Sequence, residues 1–236
     1  MPQTTTVTFF RFNTFLDKVW ALSMMQLAHA DLKKVQGQSF YKLMGSGRGL
    51  GFNALPDWST YALLQTWESE EAARSFFEGS QTITHYRQHA TEVWTTFLKN
   101  ISAHGQWDGR NPFQVSEDLP STEVLAVLTR ATIKWHKVIP FWKYVPTSHQ
   151  PLKDNDGLIY TKGVGEVPIV QMATFSIWKN KESLHHFAYN SQEHRVAIQK
   201  TRELQWYKEE LFARFTPYRS IGTWNGKNPL SEFVGV

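Results

Sequence analysis

Two stretches of this chain are versions of one another, and that duplication restricts the folds open to it more than any other feature. Leu64 to Phe113 and Phe175 to Leu230 keep the same order of marks: Trp67 is matched by Trp178, Phe76 by Phe187, and Ser80-Gln81 by Ser191-Gln192, all at one constant spacing. Further on, Gly105-Gln106-Trp107-Asp108-Gly109-Arg110-Asn111-Pro112 is matched by Gly222-Thr223-Trp224-Asn225-Gly226-Lys227-Asn228-Pro229. Arg11 and Arg130 correspond as well. A repeat on this scale predicts two copies of one unit packed against each other.

Periodicity gives the order of elements within a unit. Residues 4–13 are β-branched and aromatic and predict an opening strand. Asn13 or Thr14 can cap a following helix, in which Phe15, Val19, Leu22 and His29 fall at helical spacing. Gln38 to Met44 and Ser59 to Trp67 read as strands joined by the glycine-rich turn Gly45 to Gly51, which no helix follows and which is therefore not a dinucleotide fingerprint. Glu68 to Lys99 reads as a long helix broken near Gly79, and Ser102 to Trp107 closes the unit.

The same order starts again after a polar, proline-containing stretch, so residues 1–113 are expected to form one unit, 114–121 a linker and 122–236 a second unit. In the second unit Glu123 to Arg130, Gly157 to Lys162, Val170 to Trp178 and Tyr218 to Trp224 read as strands. Lys134 to Tyr144 reads as a helix bent by Pro140, and a long helix follows Trp178. Strand, helix, strand, strand, helix, strand is the ferredoxin-like split unit. The expected fold class is α+β: tandem ferredoxin-like units whose four-stranded sheets bury each other's inner faces, a dimeric α+β barrel within one chain. Such a scaffold does not specify chemistry.

Composition removes several classes of function. Cysteine is absent, which excludes disulfides, thiolate metal sites and cysteine nucleophiles. The net charge of +4 is spread among acids without a basic run interleaved with aromatics, against a nucleic-acid partner. No nucleophile elbow, zinc-protease motif or phosphate loop occurs. The N-terminal residues do not read as a signal peptide and no stretch is long and apolar enough to span a bilayer, so a cytoplasmic protein is expected. The 14% aromatic content supplies flat side chains for a core or for the walls of an apolar cavity.

His194 interrupts an otherwise apolar helical stripe that includes Leu184, Phe187, Ala188, Ala197, Ile198 and Leu204, and its partner in the first copy is Ile83. The helix can therefore be built without an imidazole at that place. Two roles fit: a buried histidine with a satisfied hydrogen bond, or the axial ligand of a haem iron held in an apolar slot. His185 and His186 lie off the stripe, His85 and His89 read as a wet helix face, and His136 is the alternative ligand. By position, Arg130, Thr161 and Gln171 can look into the second unit's sheet face as catalytic candidates, and Lys162, Arg195 or Lys137 can pair with haem propionates.

The runs Phe9-Phe10-Arg11-Phe12, Lys42-Leu43-Met44-Gly45-Ser46-Gly47, Leu128-Thr129-Arg130-Ala131-Thr132-Ile133, Ala173-Thr174-Phe175-Ser176-Ile177-Trp178, Phe187-Ala188-Tyr189 with His194-Arg195, and Glu209 to Phe215 resemble the spheroidene monooxygenase family, acyclic carotenoid 2-ketolases. The likeness runs over nearly the whole chain, in order. It implies a haem b oxygenase that takes electrons from reduced ferredoxin and inserts oxygen from O2 at an allylic carbon of an acyclic carotenoid, twice, to give a ketone. It also implies kinship with dimeric α+β barrel haem proteins, in which a helix histidine of the second unit, here His194, holds the iron. A haem-dependent dehydratase or peroxidase-like enzyme on a smaller molecule, and a haem-free barrel, are the competing readings. Transient contact with the inner membrane and further oligomerisation stay open, because carotenoids live in bilayers.

Overall fold

The computed structural model describes residues 2–50, 53–144, 155–190 and 203–235. Eight strands close a barrel in the order β1-β3-β2-β6-β7-β5-β8-β4. In the N-terminal half, β1 (Thr4–Arg11), α1 (Phe15–Leu27), the short α2 (His29–Leu32), β2 (Gln38–Gly47), β3 (Pro56–Trp67), α3 (Glu70–Gly79), α4 (Gln81–His89) and β4 (Glu92–Gly105) follow one another. In the C-terminal half come β5 (Leu125–Ile133), a 3-10 turn (Trp135–Lys137) running into α5 (Val138–Tyr144), β6 (Leu158–Val167), β7 (Gln171–Trp178), α6 (Lys181–Asn190) and β8 (Tyr207–Gly222). Each half contributes four adjacent antiparallel strands, as the repeat requires.

Strict alternation along the strands separates two cores. Val7, Phe9, Met44, Ala62, Leu64, Trp94, Leu98, Leu128, Val164, Phe175, Ala213 and Phe215 fill the barrel interior. Phe10, Leu43, Tyr61, Leu63, Trp67 and Phe97 point the other way and are buried with Phe76, Phe77, Ile83 and Tyr86 of α3 and α4. On the C-terminal half the outward Val127 and Trp178 pack with Leu184 and Phe187 of α6. Local chemistry sets the helix starts. The Thr14 side chain accepts from the Asp17 N–H (3.1 Å), Ser69 from Ala72 (3.2 Å) and Ser80 from Thr82 (3.2 Å), each cap contributing about 1 kcal/mol.

The long helix expected over Glu68 to Lys99 is instead two short helices and the first part of a strand. Ser80 ends α3 and caps α4, and from Glu92 the sequence turns to period two, with Trp94 and Leu98 inward and Val93 and Phe97 outward. β8 likewise begins at Tyr207, well before Tyr218. Gly45 to Gly47 and Gly163 to Gly165 lie inside β2 and β6 and not in turns.

The halves join along two unequal seams. β4 and β8 share eleven register pairs from Trp94↔Gly222 to Gly105↔Leu211, whereas β2 and β6 share only Gly45↔Gly165 and Ser46↔Val164. At the ends of the long seam Gly105 (φ 92°) and Gly222 (φ 84°) adopt left-handed backbone, and a Cβ on either would collide with the carbonyl oxygen of Glu210 or Val93. Gly222→Ala is expected to destabilise the protein by at least about 1–3 kcal/mol from backbone strain alone, measured as a fall in the urea unfolding midpoint.

Candidate functional site

The matched motifs close the two ends of the barrel. At one end Arg11 donates to Glu92 (2.6 Å) and to Asn225 Oδ1 (2.8 Å), with its guanidinium 4.0 Å from the Trp224 ring centroid. Glu92 in turn accepts from the Gly226 N–H (2.8 Å). At the other end Arg130 is ion-paired to Glu209 and lies 5.4 Å from the Trp107 centroid, while Glu209 accepts from the N–H groups of Gly109 (2.7 Å) and Asp108 (3.2 Å). Asp108 (φ 55°) and Asn225 (φ 57°), each followed by a left-handed glycine, make the same turn. Tryptophan, acid or amide, and glycine thus form a plug held by an arginine–glutamate clasp, built twice.

The two clasps differ in depth. Arg130 is only 2% exposed, and its Nε and Nη2, like the Thr132 hydroxyl, have no hydrogen-bond partner among the described residues. Lys42 bridges Asp108 and Glu166 beside it, and Glu166 accepts from Trp107 Nε1 (2.7 Å). Burial pushes the Glu209 carboxyl up, but the Gly109 N–H and Arg130 outweigh it and hold the group below the ordinary carboxylate range.

A cleft of about 600 Å3 opens at the Arg11 end, lined among others by Asp57, Tyr160, Lys162 and Trp224. Lys162 donates to Asp57 there (2.8 Å). Tyr160 packs edge-on against Phe9 and Trp94 with its hydroxyl buried and lacking a hydrogen-bond partner among the described residues, and burial holds its phenol well above the ordinary value.

The outer, helix-side face of the C-terminal sheet departs most from its repeat. On the N-terminal half the cross-strand row Phe10, Tyr61, Gly45 and the next row, Thr8, Leu63, Leu43, present large side chains to the helices. With Arg11 and Arg130 aligned, the rows of the C-terminal half are Thr129, Thr174, Gly163 and Val127, Ser176, Thr161; with Trp67 and Trp178 aligned, Leu63 falls instead on Thr174 and Leu43 on Gly163. In either alignment this part of the C-terminal sheet presents shorter side chains than its repeat. Thr129, Thr174 and Ser176 are accordingly only half-buried.

The sequence-derived candidates therefore do not share one surface. Thr161 belongs to the outer face, whereas Arg130, Gln171 and Lys162 fall on the inward register of β5, β7 and β6, with Arg130 and Lys162 already engaged by Glu209 and Asp57. Lys137 is half-buried on the 3-10 turn. His194 and Arg195 lie outside the described residues. His185 and His186 are exposed, and His89 stacks on Trp20 (4.0 Å) and meets Asp17 (2.8 Å). Among the described residues no group of three or more His, Asp or Glu side chains could hold a metal ion. Glu209, Asp57 and Tyr160 were not among the site residues expected from the sequence. The correspondence of Glu92 with Glu209, at the spacing of the tryptophan motifs, carried the signal for the first.

No family model matches the chain. Spheroidene monooxygenase of Cereibacter sphaeroides is 38% identical over 231 residues, covering 98% of this chain and 71% of that protein. Spheroidene monooxygenase of Rhodobacter capsulatus is 38% identical over 228 residues, covering 95% and 94%, and that of Rubrivivax gelatinosus 31% over 191 residues, covering 81% and 73%. Among solved structures, aldoxime dehydratase in complex with butyraldoxime superposes with a TM-score of 0.64 at 10% identity, covering 99% of this chain and 86% of that one. A second aldoxime dehydratase structure gives 0.57, also at 10%. Those two likenesses speak for the barrel fold alone. The sequence relatives, 31–38% identical over most of the chain, show that the chain belongs to the spheroidene monooxygenase family.

Proposed function

We propose that this protein is a monooxygenase that ketolates an acyclic carotenoid of the spheroidene type, using haem b as resident cofactor and reduced ferredoxin as electron donor. Kinship supports the reaction. The observation that carries the cofactor is the outer face of the C-terminal sheet, which presents Thr129, Thr174, Ser176 and Thr161 where the N-terminal sheet presents Phe10, Tyr61, Leu63 and Leu43 and so fits a flat group between that sheet and its helices. Converting an allylic CH2 to C=O consumes two O2, four electrons and four protons and releases three waters. Haem, when bound, supplies the activation of O2.

The chain's own residues do the rest. In this reading the His194 imidazole would hold the haem iron, and Arg195 and Lys137 would neutralise the propionates. The hydroxyls of Thr129, Thr161 and Thr174 offer hydrogen bonds on the sheet side, with Thr161 in the catalytic role. Arg130, through its bond to Glu209, acts on the barrel and not on the haem. In cells accumulating spheroidene or neurosporene, the parent is expected to yield 2-keto pigments, and the purified protein reconstituted with haem a Soret band. His194→Ala should lose both while the haem-free forms of variant and parent unfold at the same temperature. Retention of ketolation by a variant without a Soret band would overturn the haem assignment.

A further inference from the structure

The segment that follows β5 exposes side chains that a water-facing helix would not carry. Trp135 is 79% and Ile139 73% exposed. The neighbouring β6–β7 tip adds Val167 at 47% and Ile169 at 43%. These belong to one surface: Trp142 Nε1 donates to the Ile169 carbonyl (2.9 Å) and the Ile133 N–H to the Val170 carbonyl (2.9 Å), tying helix and hairpin together. Buried Ile133, Phe141, Met172 and Trp206 lie beneath as a separate small core.

The segment itself carries charge of one sign. From Leu125 to Tyr144 the sequence contains no Asp or Glu, while Lys134, Lys137, Lys143 and His136 flank Trp135 and Ile139. The one acid of the hairpin tip, Glu166, is engaged by Lys42 and Trp107. An exposed indole, an aliphatic neighbour and a ring of lysines match the two attractions that hold a short segment at a lipid interface, apolar insertion and attraction to anionic headgroups. Neither suffices alone.

We propose that this face, Trp135 and Ile139 with Val167 and Ile169, docks on an anionic lipid surface and admits an apolar substrate from it. The second half of that statement rests on the carotenoid reading. The face borders the outer side of the same sheet that carries Thr129 and Thr174, so a molecule leaving a bilayer here would meet that side of the sheet first.

Vesicle co-sedimentation of the full chain separates the outcomes. The parent is expected to bind phosphatidylglycerol–phosphatidylcholine vesicles, to bind phosphatidylcholine alone weakly, and to lose binding as salt rises. The double variant Trp135→Ser/Ile139→Ser should bind about tenfold or more weakly, and Lys143→Glu should reduce binding to anionic vesicles only. The larger apolar stripe on α1, Phe15, Leu16, Val19 and Leu22, is the control, because Phe15→Ser/Val19→Ser should bind like the parent. Failure of the parent to bind anionic vesicles, equal binding by the Trp135/Ile139 variant, or loss in the α1 variant instead would each overturn the proposal. Ketolation of vesicle-embedded carotenoid should fall in the Trp135/Ile139 variant while that of detergent-dispersed carotenoid holds. Should no carotenoid be oxidised in either form, the vesicle binding still decides the docking face by itself.

Discussion

Thr129→Phe with Thr174→Tyr, which gives the C-terminal sheet the pair its repeat carries when Arg11 and Arg130 are aligned, is expected to leave a folded barrel that takes up no haem and produces no ketone. The positions are registered opposite each other on β5 and β7, and the N-terminal half tolerates Phe10 and Tyr61 at the equivalent pair. Cooperative unfolding should therefore persist, since overpacking costs typically about 1–3 kcal/mol. A haem titration followed at the Soret band is the readout that matters, because it is independent of substrate and of ferredoxin. Undiminished haem uptake would mean that the space between this sheet and its helices serves something else.

Removing the carboxylate from the deeper clasp should produce the largest loss of stability. Glu209→Ala strands the Arg130 guanidinium, 2% exposed, and also frees the Gly109 and Asp108 N–H groups. An unpaired buried charge of this kind costs about 3–5 kcal/mol. Glu92→Ala should cost much less, because the Arg11 side chain is 25% exposed and keeps Asn225. The sign with pH follows from the lowered Glu209 pKa: its contribution is complete above the ordinary carboxylate range and is lost as pH falls through the depressed value. Urea midpoints measured for both variants between neutral and acidic pH check both statements. Were Arg130 instead to act on oxygen, Arg130→Ala would abolish turnover with little change in midpoint.

The duplication, and with it the barrel, was legible because Trp67, Trp107, Trp178 and Trp224 sit at repeating places that few folds could require. The strand at Tyr207 was not, for a local reason. Glu209-Glu210-Leu211-Phe212-Ala213-Arg214-Phe215 consists largely of good helix formers, and only the alternation of Leu211, Ala213 and Phe215, all facing inward, marks it as a strand. β4 hides in the same way behind α4. Sequence position also placed Arg130, Thr161 and Gln171 together, since residues on neighbouring strands look equivalent until the register says which way each points. The exchange of Phe10 for Thr129 was visible in the matched arginine runs. Its meaning required knowing that both lie on the outer face of their sheets.

Fusing the two halves into one polypeptide has a consequence for how the short β2–β6 seam can be tolerated. Two separate chains would need their contacts to outweigh dilution, and identical subunits would inherit every substitution in duplicate. A tether from β4 to β5 removes both demands: the eleven-pair seam can carry the joint, the two-pair seam can stay minimal, and one half is left at liberty to diverge while its sibling remains a plain buttress.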